Sequence, residues 1–250
     1  SDWSSDVCSS DLPSDAQWIA RFGANRLASH ARSGMGGPRD WLRHAMADAR
    51  KSFEALRRRP PNETYEIAFA SIMAATLRDD VLQTLWLGDC SALLCDRDGG
   101  VRLLGDAQNA RERERARVAS IMLGQGGDPA AQRVRPEFLP ALRKARNTVN
   151  TPEGSYLFGP DPVAAKHLNV ARRKVAAGTT LLLATDGFFA LVSDYDAYTT
   201  ETLMQAAASK GLSALGEELR AIEMGDPEGR RFARFKRHDD ATALLLRVDD

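Results

Sequence analysis

The stretch Leu181-Leu182-Leu183-Ala184-Thr185-Asp186-Gly187 decides the fold. Its apolar run has the length of a buried strand, and the Asp-Gly pair that follows is a turn signal that ends it. A carboxylate at the mouth of a buried strand is costly unless something cationic meets it. Two other places in the chain have the same form: Trp86-Leu87-Gly88-Asp89, and His238-Asp239-Asp240-Ala241-Thr242, which opens the last apolar run. Three such ends, far apart in sequence, suggest that Asp89, Asp186 and Asp239 converge on a cluster of hard oxygen ligands for a metal. Taken singly, each has an ordinary reading. Asp186 or Thr185 would cap a helix starting at Gly187, Asp89 would make an Asx-type turn, and Asp239 would guard the start of a strand.

Working outward, the spacing predicts a helix over 15–32 with Trp18, Ile19, Phe22 and Leu27 on it and Ser14 or Asp15 as its cap. Ser33-Gly34-Met35-Gly36-Gly37-Pro38 breaks it. A second helix is expected over 38–59, with Leu42, Met46, Ala49, Phe53 and Leu56 on one stripe, ended by Pro60-Pro61. Arg57, Arg58 and Arg59 suit its C-terminal dipole and read as solvated. Strand-like runs follow at 65–77, 82–87, 91–95 and 101–104, read as an antiparallel meander with Arg97-Asp98-Gly99-Gly100 as a hairpin turn.

Helical texture returns at 106–124 with alternating Arg and Glu, then a loop at 124–136, and a weak helix at 137–146. A short strand is expected at 155–158, a helical turn at 163–167 and the buried strand at 178–185. Helices are expected at 187–192, 200–210 and 212–224, the last with Leu215, Leu219 and Ile222 on one side, and a closing strand at 241–248. There is no internal repeat. Helices, then strands, then helices, then a strand point to an α+β fold rather than alternating β-α units.

Composition narrows the function classes. The 250 residues carry 34 Lys plus Arg and 34 Asp plus Glu, so no net field concentrates nucleic acid or an anionic membrane. No apolar run is long enough to cross a bilayer and no secretion signal is visible, which makes a cytoplasmic enzyme the expectation. Three cysteines give no disulfide framework, and Cys90 and Cys95 read as packed thiols. Residues 1–12 have no helical or strand periodicity. They resemble translated sequencing-adapter segments and are set aside as non-native, leaving 13–250 as one domain.

The three aspartate runs, in this order and with this wording, resemble the metal-dependent serine/threonine phosphatases of the PPM or PP2C family. In that family a strand ending Gly-Asp, a strand ending Ser-Asp-Gly, and an Asp-Asn or Asp-Asp pair opening the last strand occur in succession. The resemblance spans 15–250 and is strongest at 84–104 and 155–248. It implies a four-layer α-β-β-α sandwich of two antiparallel sheets flanked by helices. It also implies a Mg2+ or Mn2+ pair that activates a water against a phosphoserine or phosphothreonine protein, so that no side chain is the nucleophile. By matching positions, Asp186 and Asp239 would ligate one of the paired ions, and Asp89 with a neighbouring aspartate a weaker additional one. A cognate kinase is a further partner; nucleic acid and membrane are not.

The family's bridging Asp, its acidic neighbour and an early phosphate-holding Arg have no match in residues 1–250. The run 1–12 stands where they are expected, so the first two or three strands, roughly 20–40 residues, would be missing. Ser33-Gly34-Met35-Gly36-Gly37 imitates the missing metal loop but has Ser in place of the carboxylate and lies between helices. Impaired activity is therefore expected of this chain. The alternative reading is a non-catalytic phosphatase-like module that binds a kinase or phosphoprotein. Arg230, Arg231, Arg234, Lys236, Arg237 and His238 read as a solvated loop anchored by Phe232 and Phe235, rather than a phosphate-steering patch. His30, His44 and His167 show no ligand spacing and read as ordinary surface residues.

Overall fold

The computed structural model describes residues 14–105, 139–227, 231–232 and 238–249. The expected helix at 106–124 and the loop at 124–136 lie outside these residues, as does most of the basic run before His238. The elements are α1 (Asp15–Ser33), α2 (Pro38–Leu56), β1 (Ile72–Arg78), β2 (Val81–Leu87), β3 (Ser91–Cys95), β4 (Val101–Gly105), α3 (Leu139–Arg146), β5 (Asn169–Lys174), β6 (Thr180–Ala184), α4 (Asp186–Ser193), α5 (Thr200–Ser209), α6 (Leu212–Gly225) and β7 (Ala243–Arg247). Single 3-10 turns lie at Thr64–Glu66 and Pro162–His167. The fold is α+β with two antiparallel sheets, one ordered β1-β2-β5 and the other β4-β3-β6-β7. No helix among the described residues is long and apolar enough to cross a membrane.

The chain divides into two compact units, the first comprising Ser1–Ile72, Thr84–Gly88 and Pro140–Ala171, the second Met73–Gln83, Asp89–Leu139 and Arg172–Asp250. In the first, α1 starts where Ser14 accepts a hydrogen bond from the Gln17 amide and ends at Gly34, whose φ of 69° is the left-handed cap that glycine adopts without strain. Trp18, Ile19 and Leu27 of α1 are buried, as are Trp41, Leu42, Met46, Ala49 and Phe53 of α2. Gly23 lets the Phe158 ring lie 2.6 Å from where a Cβ would stand.

α2 stops at Leu56, short of the expected end, and its arginines do not all point to water. Arg59 lies beyond the helix and grips Glu66 through both guanidinium nitrogens, at 2.8 and 3.1 Å. The Asn62 amide adds a third donor at 2.8 Å, and together these hold the Glu66 carboxyl down to about 2. Residues 155–158 do not form a strand. Only Phe158 bridges to Ala70, through two backbone hydrogen bonds of 2.9 Å.

The expected single meander is split between the sheets: β1 and β2 belong to one, β3 and β4 to the other. The change of sheet passes through Gly88, whose φ is 81°. The β3–β4 turn is as expected, with Gly99 at φ 85° and the Asp96 amide bonded to the Gly100 carbonyl at 2.9 Å.

In the second unit the two central strands of the four-stranded sheet, β3 and β6, are covered on both faces, while Leu244 and Leu246 of β7 are exposed. Leu93, Leu182 and Ala184 pack against Phe188, Phe189, Leu191, Leu203, Leu215 and Leu219 of the helices. Ala92, Leu94 and Leu181 pack on the other side against Leu82, with Met73, Ala75 and Val175 nearby. A strand buried on both faces reads as a continuous apolar run, which is why 181–184 shows no alternation.

Candidate metal centre

Strand register brings the three aspartate-bearing ends together. In the antiparallel ladders Ser91 of β3 faces Ala184 of β6, and Ala184 faces Ala243 of β7. The β3 and β6 ends that lead to Asp89 and Asp186 are therefore neighbours, with the segment preceding β7 on the other side of β6. Backbone bonding extends beyond β6 and β7 in that way: the Thr185 amide donates to the Thr242 carbonyl at 3.0 Å. The Thr185 hydroxyl accepts from the Thr242 amide at 3.0 Å.

The side chains agree with that placement. Cys90 is buried, and its thiol is pushed up to about 12, first by burial and then by the negative charges of Asp89 and Asp186. Both carboxylates thus act on the same sulfur. Asp186 opens α4, but no side-chain cap bond forms there, and Thr185 is spent on β7 instead of on the helix. Gly187 explains the Asp-Gly pairing: a Cβ there would collide with the Asp240 carbonyl oxygen and lie 3.3 Å from the Asp239 Cβ. The Asp239 carboxylate accepts a hydrogen bond from the following amide of Asp240 at 3.0 Å.

Asp89 and Asp186 therefore share a neighbourhood, and Asp239 lies against Gly187. Carboxylate oxygens alone are the donor chemistry of Mg2+ or Mn2+. Among the described residues, no group of three or more His, Cys, Asp or Glu side chains closes into a cation-holding cluster. The glycine run at 33–37 is an interhelical connection, with Asp40 accepting from the Gly37 amide at 3.1 Å and the Trp41 indole donating to the Met35 carbonyl at 2.9 Å.

Other polar residues at this end of the sheet escaped the sequence reading. Glu223 on α6 is only 2% exposed, and it accepts from Arg220 at 2.6 Å, from His238 Nδ1 at 3.0 Å and from the Tyr195 hydroxyl at 3.3 Å. Arg220 also donates to the Asp239 carbonyl at 2.8 Å. The signal was present: Leu215, Leu219 and Glu223 fall four apart on a single stripe, and a carboxylate in an apolar stripe calls for partners. Phe232 lies edge-on to Tyr195 at 5.1 Å and its amide donates to Asp226 at 3.0 Å, while Phe235 lies outside the described residues. The histidines do have partners. His30 lies 3.2 Å from Asp48 and its ring 5.5 Å from that of His44, and His167 stacks on Tyr156.

Comparison with known proteins fits this architecture. Three solved structures share the fold. The catalytic domain of the serine/threonine protein phosphatase PstP with two manganese ions matches at a TM-score of 0.50 and 15% identity, covering 94% of this chain and 82% of that one. The Mycobacterium tuberculosis phosphatase PstP/Ppp matches at 0.54 and 15%, covering 94% and 83%. PppA, a regulatory component of the type VI secretion system in Pseudomonas aeruginosa, matches at 0.50 and 15%, covering 97% and 83%. No curated protein matches the sequence significantly. The family model described as protein phosphatase 2C matches residues 9–221, well over half of the chain and including Asp89 and Asp186. With both the sequence match and the shared fold, the chain belongs to the protein phosphatase 2C family.

Proposed function

We propose that this chain is the body of a phosphoprotein phosphatase that hydrolyses phosphoserine and phosphothreonine monoesters with Mg2+ or Mn2+, in cytoplasmic signalling where a cognate kinase supplies its substrates. The reading is supported by membership of the protein phosphatase 2C family together with the adjacency of the β3, β6 and β7 ends that lead to Asp89, Asp186 and Asp239. When bound, a divalent pair supplies an acidified water and neutralises charge on the phosphoryl oxygens. Asp186 and Asp239 would hold one such ion, and Asp89 with a neighbouring aspartate a weaker one. Thr185 and Gly187 hold the two segments against each other.

We further propose that the 250-residue chain is impaired on its own, because its residues include no counterpart of the family's bridging Asp-Gly pair. The lack of a closed three-carboxylate cluster among the described residues favours this, and equally favours a non-catalytic module that binds a kinase or phosphoprotein. One assay separates the readings: manganese-dependent phosphate release from a phosphothreonine peptide, by this chain and by the complete reading frame that encodes it. The expected result is strong release by the complete frame, abolished by Asp186→Asn, and weak release by the 250 residues. No manganese-dependent release by either would leave the binding module. Equal release by both would remove the impairment.

A further inference from the structure

We propose that Arg220, braced by Glu223, is a positioning residue that fixes the main chain of Asp239 so that its carboxylate is presented to a divalent cation. This rests on the reading of Asp239 as a ligand. The Glu223 carboxylate, almost fully buried on α6, occupies a position where leucine would continue the apolar stripe without desolvating a charge. Its partners show what it serves. One is the ring of His238, whose Nδ1 lies 3.0 Å away. Another is the Arg220 guanidinium at 2.6 Å, whose other terminal nitrogen reaches the Asp239 carbonyl at 2.8 Å.

Both contacts fall on consecutive residues, and the next one is held from the opposite side. The Asp240 carbonyl fills the space that Gly187 leaves, and the Thr185 hydroxyl bonds the Thr242 amide at 3.0 Å. Asp239 is thus pinned before and after its Cα, and one of its carboxylate oxygens is set by the Asp240 amide. A ligand held in this way does not have to be ordered when the ion binds, so outer contacts of this kind tune affinity without touching the metal. A tie serving only to dock α6 on the sheet would not need the Asp239 carbonyl as its acceptor.

The test uses the 250-residue chain with Mn2+ as the probe, followed by electron paramagnetic resonance titration and by hydrogen exchange of the 239–242 amides. Arg220→Met keeps the length of the side chain and removes the donor; Arg220→Lys keeps the charge but supplies one bond at a time. Leu215→Ala loosens the same helix away from Asp239. Arg220→Met is expected to raise the Mn2+ dissociation constant about tenfold and to speed exchange at 239–242, with Arg220→Lys between it and the wild type. Leu215→Ala is expected to lower the melting temperature while leaving the constant within about twofold. Unchanged affinity in Arg220→Met, or an equal loss in Leu215→Ala, would overturn the positioning role while leaving Asp239 as a ligand. Absence of Mn2+ binding by the wild type would instead remove the ligand reading, and this proposal with it.

Discussion

Gly187 leaves no room for a side chain. A methyl group at this position meets backbone rather than a movable side chain, since the obstacle is the Asp240 carbonyl oxygen. Gly187→Ala must therefore push α4 and the segment before β7 apart. Urea denaturation is expected to show a loss of about 1–3 kcal/mol, the usual range for overpacking. Cys90 offers a second check at this scale. With its thiol raised to about 12 by burial and two nearby carboxylates, almost no thiolate exists at pH 8. Mass spectrometry after brief iodoacetamide treatment at pH 8 should find Cys90 unmodified in the folded chain and alkylated in urea; rapid labelling of native Cys90 would contradict its burial. Asp186 and Gly187 were legible in the sequence because a turn pair ended a buried run. Glu223 and Arg220 were not singled out, because a Glu and an Arg on a helix usually face water.

Elements were legible where local chemistry and burial agree. α1, α2, β3, β6, α5 and α6 fall close to the boundaries set by Ser14, Gly34, Pro38, Gly99 and the apolar stripes. β5 was missed because Asn169-Val170-Ala171-Arg172-Arg173-Lys174 is mostly exposed and does not alternate; its strand character comes from its neighbour in the sheet. The meander was misread because sequence adjacency does not tell which sheet a strand joins, and only the backbone at Gly88 makes the switch. Arg59 was misread because Glu66 is distant enough in sequence to hide the pairing. That pair gives a prediction with a definite sign. Glu66 has an ordinary value of 4.5 and a folded value of about 2, so its stabilisation is complete above pH 4.5 and is lost as pH falls through about 2. Acid titration of stability for wild type and Glu66→Gln should show the two curves separated above pH 4.5 and converging toward pH 2. A constant gap across that window would mean that the Arg59 pair does not hold the carboxylate down.

For the whole molecule, the sequence carried the α+β class, most of the elements and the three aspartate runs, while β5 and the strand register came from the fold. Antiparallel pairing of β3 with β6 and of β6 with β7 turns residues nearly a hundred positions apart into neighbours at one sheet end. No periodicity encodes that pairing; it follows from which faces are apolar and which helices cover them. The family match ends at residue 221, so the placement of Asp239 beside Gly187 comes from the fold rather than from the matched sequence. The central claim is that these strand ends form part of a divalent-cation site, and titration of the chain with Mn2+, followed by electron paramagnetic resonance, tests it most directly. The expected result is saturable binding by the wild type that weakens at least about tenfold in Asp186→Asn and in Asp239→Asn. Binding that is absent from the wild type, or unchanged by both substitutions, would contradict it.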